Sequence, residues 1–245
     1  MVLLPRRRLV TGAAALAAFA ALPRDAVAAV TPTTFNPADA TATLSNGNLT
    51  VTYTSGGNNL GARTIFSTST GKYYFEFWGS NLTSGGSYTS IGLSSAGVSF
   101  ANIMNTGVGV FGWYAADHVY LKGSSVATID AYTSSNTNSA SACQVAIDFG
   151  GELAWFRNQS HGSNGNWNAS SSANPATGAG GISFSTLGSP PWFVYSCLTP
   201  NNGTIVMTLN FGASAFNYAV PSGFQPGFGL ISSGAGTLAT MGVGE

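Results

Sequence analysis

The stretch Cys143-Gln144-Val145-Ala146-Ile147-Asp148-Phe149-Gly150-Gly151-Glu152-Leu153-Ala154-Trp155-Phe156-Arg157-Asn158 decides the fold class. Apolar residues alternate on both sides of a Gly-Gly pair, the pattern of two antiparallel strands joined by a tight turn. That turn sets Asp148 opposite Leu153, Ile147 opposite Ala154 and Val145 opposite Phe156. Because successive strand side chains point to opposite faces, Cys143, Val145, Ile147, Ala154 and Phe156 form a core face. Gln144, Ala146, Asp148, Leu153, Trp155 and Arg157 form the reverse, a mixed surface that packs beneath a loop or receives a ligand.

The same period of two recurs outward from this hairpin. Asn46-Gly47 within Ala40 to Thr54 is a hairpin turn that predicts Leu44 opposite Leu49 and Ala42 opposite Val51. Gly71 to Gly79 carries Tyr73, Phe75 and Phe77 on one side and Tyr74, Glu76 and Trp78 on the other, so both faces are covered. Glu76 then needs a partner, for which Lys72 or Arg157 is available. Further strands are expected at Ser90 to Ser94, Gly107 to Tyr114, Trp192 to Leu198 and Thr204 to Phe211, the last with Ile205, Met207, Leu209 and Phe211 inward. Two long polar stretches, Ser124 to Ser141 and Gln159 to Ser189, read as loops. The pattern predicts an all-β, two-layer antiparallel β-sandwich in a single domain.

Residues 1–28 stand apart. Arg6-Arg7-Arg8, the apolar run Leu9 to Leu22 and Ala26-Val27-Ala28 have the layout of a cleavable signal helix, with cleavage after Ala28 and a twin-arginine-like leader. The reading is thus a signal peptide at 1–28, a short linker at 29–34, the sandwich at 35–228 and a Gly-rich C-terminal segment at 229–245. The protein is expected to be exported from a bacterium, to the periplasm or beyond, without membrane insertion after cleavage. The mature chain keeps four cations (Arg63, Lys72, Lys122 and Arg157) against seven acids, a formal charge of −3. So few cations cannot neutralise a row of phosphates, which argues against nucleic acid or anionic lipid as a partner. In an oxidising compartment Cys143 and Cys197 could form one disulfide or stay as buried thiols, since the sequence does not give their separation.

Several segments, in order, resemble a SPRY domain, an antiparallel sandwich related in architecture to the jelly-roll, concanavalin-type lectins. They are Gly71-Lys72-Tyr73-Tyr74-Phe75-Glu76-Phe77, Ile91-Gly92-Leu93, Val145-Ala146-Ile147-Asp148 with Leu153 to Asn158, and Asn174-Pro175-Ala176-Thr177-Gly178. Asn210-Phe211-Gly212, Phe216-Asn217-Tyr218 and Pro221-Ser222-Gly223-Phe224 complete the series, which most resembles SPRY segments of phage tail-fibre-like and bacterial exported proteins. The chain departs from the pattern at two turn positions, with Asn158-Gln159 where Asn-Gly is usual and Ala140-Ser141 where an acidic Gly-Asp is usual. What the resemblance implies is a non-catalytic recognition module presenting a loop surface, usually to a protein segment.

Catalytic groups are scarce. His118 and His161 belong to no His-Glu-x-x-His run, the cysteines form no Cys-x-x-Cys, and no Asp-rich loop suggests calcium, so neither metal nor cofactor is expected. The enzyme alternative is a glycan hydrolase using Glu76 and Asp148 across neighbouring strands. For binding, Gly112 to Gly123 gathers Trp113, Tyr114, Asp117, His118, Tyr120 and Lys122 in one apparent loop region, and Trp167 stands alone among Asn, Ser and Gly. Aromatics beside both signs of charge suit a protein hot spot and also suit stacking on a sugar ring. The expected function is therefore exported recognition of a protein or surface polymer, the alternative being a carbohydrate-binding, adhesin-like lectin module.

Overall fold

The computed structural model describes residues 30–54, 60–80, 88–100, 107–113, 116–128, 139–159, 165–199 and 204–231. The strands are β1 (Val30–Pro32), β2 (Thr43–Ser45), β3 (Thr50–Tyr53), β4 (Leu60–Thr68), β5 (Lys72–Ser80), β6 (Tyr88–Ser95), β7 (Val108–Trp113) and β8 (Ala116–Leu121). They continue as β9 (Ser124–Thr128), β10 (Cys143–Asp148), β11 (Leu153–Arg157), β12 (Ile182–Ser183), β13 (Trp192–Thr199), β14 (Ile205–Asn210), β15 (Gln225–Pro226) and β16 (Gly229–Ile231). One sheet runs β12-β11-β10-β5-β14-β3-β2, with β15 alongside β5, and the second runs β4-β13-β6-β7-β8-β9. Pairing is antiparallel except between β15 and β5, and the protein is an all-β sandwich.

Its dry layer is made as the alternation requires. Tyr73, Phe75, Phe77, Val145, Ile147, Phe156, Ile205, Met207 and Leu209 from the first sheet meet Ile91, Leu93, Val119, Trp192 and Val194 from the second, all buried in one cluster. Inside it, the Tyr53 hydroxyl lies 2.7 Å from Ser196 Oγ and joins the sheets. Burial pushes the Tyr53 phenol well above its usual range.

The hairpin of β10 and β11 pairs as its sequence predicts, Asp148 with Leu153 through Val145 with Phe156. The first hairpin differs by two residues: Leu44 pairs with Val51 and Ser45 with Thr50. Asn46, Gly47 and Asn48 all take positive φ (52°, 61° and 65°), so the turn spans four residues instead of two. A shift of two preserves which side chains face inward, so the core is unchanged while Leu49 is released to pack against it.

Two further expectations are corrected. Ser124 to Thr128, read as loop, is the edge strand β9, because Lys122 and Gly123 (φ 50° and 78°) make a tight hairpin turn after β8. Residues 30–32, read as linker, and 229–231, read as tail, pair as a two-stranded ribbon, Val30 with Ile231. Of the two states the sequence left open for Cys143 and Cys197, the structure has the buried thiols, without a disulfide. Cys143 faces the interlayer core, whereas Cys197 lies on the outer side of β13 against Phe100 and Tyr195, so a sheet separates the two thiols.

Candidate functional site

The residues expected in one loop between Gly112 and Gly123 are instead spread along an antiparallel hairpin. Trp113 ends β7 and pairs with Ala116, Asp117 pairs with Gly112, and at both Trp113 and Asp117 the backbone alone is described. Tyr114 lies outside the described residues, as does His161. Lys122 is exposed in the turn at the opposite end of β8, about 17 Å from the Trp113 end at ~3.3 Å per residue. Between the ends, His118 and Tyr120 project from one side of β8, with ring centroids 5.8 Å apart, while Val119 points into the core. Ser125 Oγ on β9 lies 3.0 Å from His118 Nδ1, and Tyr120 packs on the small outer cluster of Phe100, Tyr195 and Cys197. The hairpin thus joins His118, Tyr120 and Ser125 but separates Trp113 from Lys122.

Trp167 is not a solvent-facing platform: it is 7% exposed. It sits in a second apolar cluster with Tyr74, Ala146, Trp155 and Phe224 on the outer side of the first sheet. Its neighbour Asn168 explains the placement. With φ at 48°, Asn168 turns its amide onto the strand, accepting from Phe156 N at 2.9 Å and donating to Ala154 O at 3.0 Å and Gly180 O at 2.9 Å. The side chain therefore imitates a neighbouring strand where β12 has ended, and it draws Trp167 down onto β11.

Arg157 ends β11 on this same outer side and stacks over the Trp167 ring, its Cζ 4.2 Å from the centroid. Burial lowers the guanidinium from its ordinary value, opposed by the nearby Tyr74 and Tyr218. Its Nε is buried with no hydrogen-bond partner among the described residues. Glu76, which Lys72 or Arg157 was expected to satisfy, uses neither. It is fully buried and accepts from Tyr74 Oη at 2.8 Å, Asn217 N at 3.1 Å and Tyr218 N at 3.0 Å. Desolvation first, and then the Glu76 charge, push the Tyr74 phenol upward. Gln144 stands between Glu76 and Arg157 in the register, its amide occupied by Ala142 O and Gln159 N.

Other charges also hold the scaffold together. Lys72 Nζ is 3.0 Å from Asp148, which also accepts from Gly151 N at 2.8 Å, and Arg63 Nε is 2.7 Å from Asp39. Glu76 pairs with Gln144, four residues from Asp148, so the two carboxylates stand about 13 Å apart along the sheet. That exceeds the roughly 5 to 9.5 Å at which a pair of acids hydrolyses a glycoside. No cluster of three or more His, Cys, Asp or Glu that could hold a metal occurs among the described residues. No helix among them is long and apolar enough to cross a membrane. At the far edge of the second sheet, Pro32, Thr33, Thr34, Ile65, Phe66, Ser67 and Leu230 line a shallow groove of ≈ 450 Å³, with Ile65 60% and Leu230 64% exposed.

Comparison with solved structures places this sandwich. The SPRY domain of human HERC1 superposes with a TM-score of 0.51 at 15% identity, covering 74% of this chain and 99% of that one. The chain has the SPRY-domain fold. The TRIM65 PSpry domain is also similar, with a TM-score of 0.46 at 14% identity over 73% of this chain and 92% of that one. Stonustoxin matches with a TM-score of 0.48 at 11% identity over 73% of this chain but 28% of its own. No family model and no curated protein matches the sequence.

Within the SPRY fold, the segments that carried the resemblance have structural duties. Asn174 caps the short turn Pro175–Thr177 by accepting from Ala176 N at 3.0 Å. Asn210 Oδ1 and Nδ2 bind four backbone groups of Gly212, Ser214 and Ala215 directly after β14, two of them on Ser214. What sequence reasoning missed is the structural role of Asn168, Asn217 and Tyr218. Tyr218 donates its hydroxyl to Ala140 O at 2.9 Å, while its backbone and that of Asn217 bind Glu76, a pairing across about 140 residues that no local pattern signals.

Proposed function

We propose that this protein is an exported, non-catalytic recognition module of the SPRY fold, which binds a protein or a surface polymer. The observation that carries the reading is the employment of three carboxylates among the described residues. Asp39, Glu76 and Asp148 are each committed to an ion pair or to backbone and hydroxyl donors, as the parts of a scaffold are. A hydrolase would instead hold an acid within reach of a bound substrate. The signal-like pattern of residues 1–28 supports export, and β1 begins two residues after the expected cleavage point.

The exposed part of the β8 and β9 hairpin, with Tyr120, His118 and Lys122, is the contact surface in this reading. Two measurements test it. The immobilised protein is presented with native cell-envelope extract, and each captured protein is purified and its affinity measured directly; in parallel the protein is applied to a glycan array. Specific binding of one envelope protein, weakened roughly tenfold or more by Lys122→Glu without change in melting temperature, is the expected result. Glycan binding without protein binding would replace it with the lectin reading. Turnover of a β-glucan abolished by Glu76→Gln would overturn it. Export is checked by the mass of the protein recovered outside the cytoplasm, expected to begin at Ala29.

A further inference from the structure

We infer that the outer face of the second sheet holds a binding site for one neutral sugar ring, in the cavity between Asn36, Asp39, Arg63 and Phe193. This rests on the recognition role proposed above and gives the surface polymer of that reading a chemical class, a glycan.

The cavity measures ≈ 250 Å³ and is walled by the turn that carries Asn36 and Asp39, by Arg63 of β4, by Phe193 of β13 and by Ala96 and Gly97. Trp192 and Val194 lie in the interlayer core, so alternation puts Phe193 on the outer face of the sheet. His118 and Tyr120 project from that same face three strands away, roughly 14 Å at ~4.8 Å per strand. Solvent reaches the cavity: Ala96 and Gly97 are exposed, the Asp39 side chain is 33% exposed, and Asn36 and Phe193 are half-buried. Its polar wall is built by the turn Asn36-Pro37-Ala38-Asp39. Asn36 N donates to Arg63 O at 2.7 Å, which fastens the turn to β4, and Asn36 O accepts from Asp39 N at 3.1 Å. Asn36 Oδ1 accepts from Ala38 N at 3.0 Å, and Pro37 presets the second position of the turn. Arg63 grips both oxygens of Asp39, Nε to Oδ2 at 2.7 Å and Nη2 to Oδ1 at 2.9 Å, and its guanidinium lies over the Phe100 ring. The polar groups are thus fixed before a ligand arrives.

The same wall selects the ligand. Its two charges cancel in the ion pair, so a neutral molecule is favoured over an ion that would lose its water without a free partner. The unused hydrogen-bonding groups are of both kinds. Asn36 Nδ2 keeps two N–H donors without a protein partner among the described residues, because the turn uses only Oδ1. An ionised carboxylate has about four lone-pair sites, and Arg63 takes two of those on Asp39, which leaves acceptors on its exposed side. A donor amide beside an acceptor carboxylate suits neighbouring hydroxyls, each of which both donates and accepts. Phe193 supplies the apolar wall, and its ring meets no other aromatic ring among the described residues. A neutral ring with hydroxyls around its edge and C–H groups on its face is a pyranose. The volume admits about one such ring, so a polymer would be read at a single unit. Asp39 stays in its ion pair and no second acid lines the cavity among the described residues, so a bound glycoside is held and not cleaved.

The test follows the Asn36 side-chain amide and the Phe193 ring resonances of the full-length protein by NMR. The probes are the methyl pyranosides of glucose, galactose, mannose and N-acetylglucosamine, with glycerol and the capped peptide acetyl-Gly-Asn-Gly-amide as controls. A saturable shift at both residues with at least one pyranoside at millimolar concentration, and none with glycerol, is expected. Phe193→Leu keeps an apolar side chain but removes the aromatic face, and should weaken binding about tenfold. Asn36→Asp keeps the acceptor for Ala38 N but removes both donors, and should weaken it about fivefold. Amide spectra of both variants verify that the fold persists. Absence of a saturable shift with every pyranoside, an equal shift with glycerol, undiminished binding in either variant, or tighter binding of the peptide would overturn the assignment. A trisaccharide of the preferred sugar should bind at least as tightly as its methyl pyranoside, and weaker binding would overturn a polymer as the source of the ring. Lys122→Glu should leave the sugar titration unchanged, so failure to capture an envelope protein through β8 and β9 and failure of this cavity are separate results.

Discussion

Glu76 is a fully buried carboxylate whose hydrogen bonds come from one hydroxyl and two backbone amides, and its value to the protein lies in tying residues 217–218 onto β5. Glu76→Gln turns one of two acceptor oxygens into a donor that faces a donor. The expected cost is about 2 kcal/mol, read from the urea unfolding midpoint. Asn168 is the neutral counterpart. Asn168→Ala leaves Phe156 N, Ala154 O and Gly180 O without their side-chain partner, and a loss of about 2–4 kcal/mol is expected in the same measurement. Asn168→Asp should also be destabilising, since an oxygen would then face both carbonyls. Neither role was legible locally. Asn168 sits in a run of Asn, Ser and Gly that has the composition of a solvated loop, and only the end of β12 gives its amide a strand to satisfy.

Among the elements, the β1 and β16 ribbon offers a sharp test. A Cβ on Gly229 would land on the Thr31 carbonyl oxygen, so Gly229→Ala cannot keep the pairing of Thr31 with Leu230 as it stands. Hydrogen exchange at residues 30–32 and 229–231 should accelerate in that variant, while β10 and β11 stay protected. The strands that form the two layers were readable because β14 alternates buried with half-buried residues, while β5 and β10, covered on both faces, are buried along nearly their whole length, as apolar and aromatic runs between turn residues foretell. The ribbon and β9 were not. The ribbon is two short pieces joined across about 200 residues, and β9 carries Val126 as an exposed apolar residue on an open edge, so neither holds an inward apolar row to reveal it. The outer hairpin failed for a related reason: Gly112 and Gly123 read as loop punctuation, but Gly112 lies within β7 and Gly123 in the turn that starts β9.

At the scale of the molecule, the positions of the two cysteines make stability independent of thiol chemistry. With Cys143 between the layers and Cys197 outside the second, dithiothreitol should leave the melting temperature unchanged. Both thiols should resist a soluble reagent until denaturant is added, since each is 5% exposed or less. A drop in melting temperature under reduction would contradict the two placements. The pairing of Val30 with Ile231 has a different consequence, for engineering and for presentation. Because Val30 and Ile231 meet at one corner of the sandwich, beside β4, a fusion made directly at either of these two residues departs from the edge farthest from β9. A short linker closing that gap would let new ends be opened elsewhere by circular permutation. Grafted between two residues of a host loop, the whole unit would be displayed with β8 and β9 turned outward.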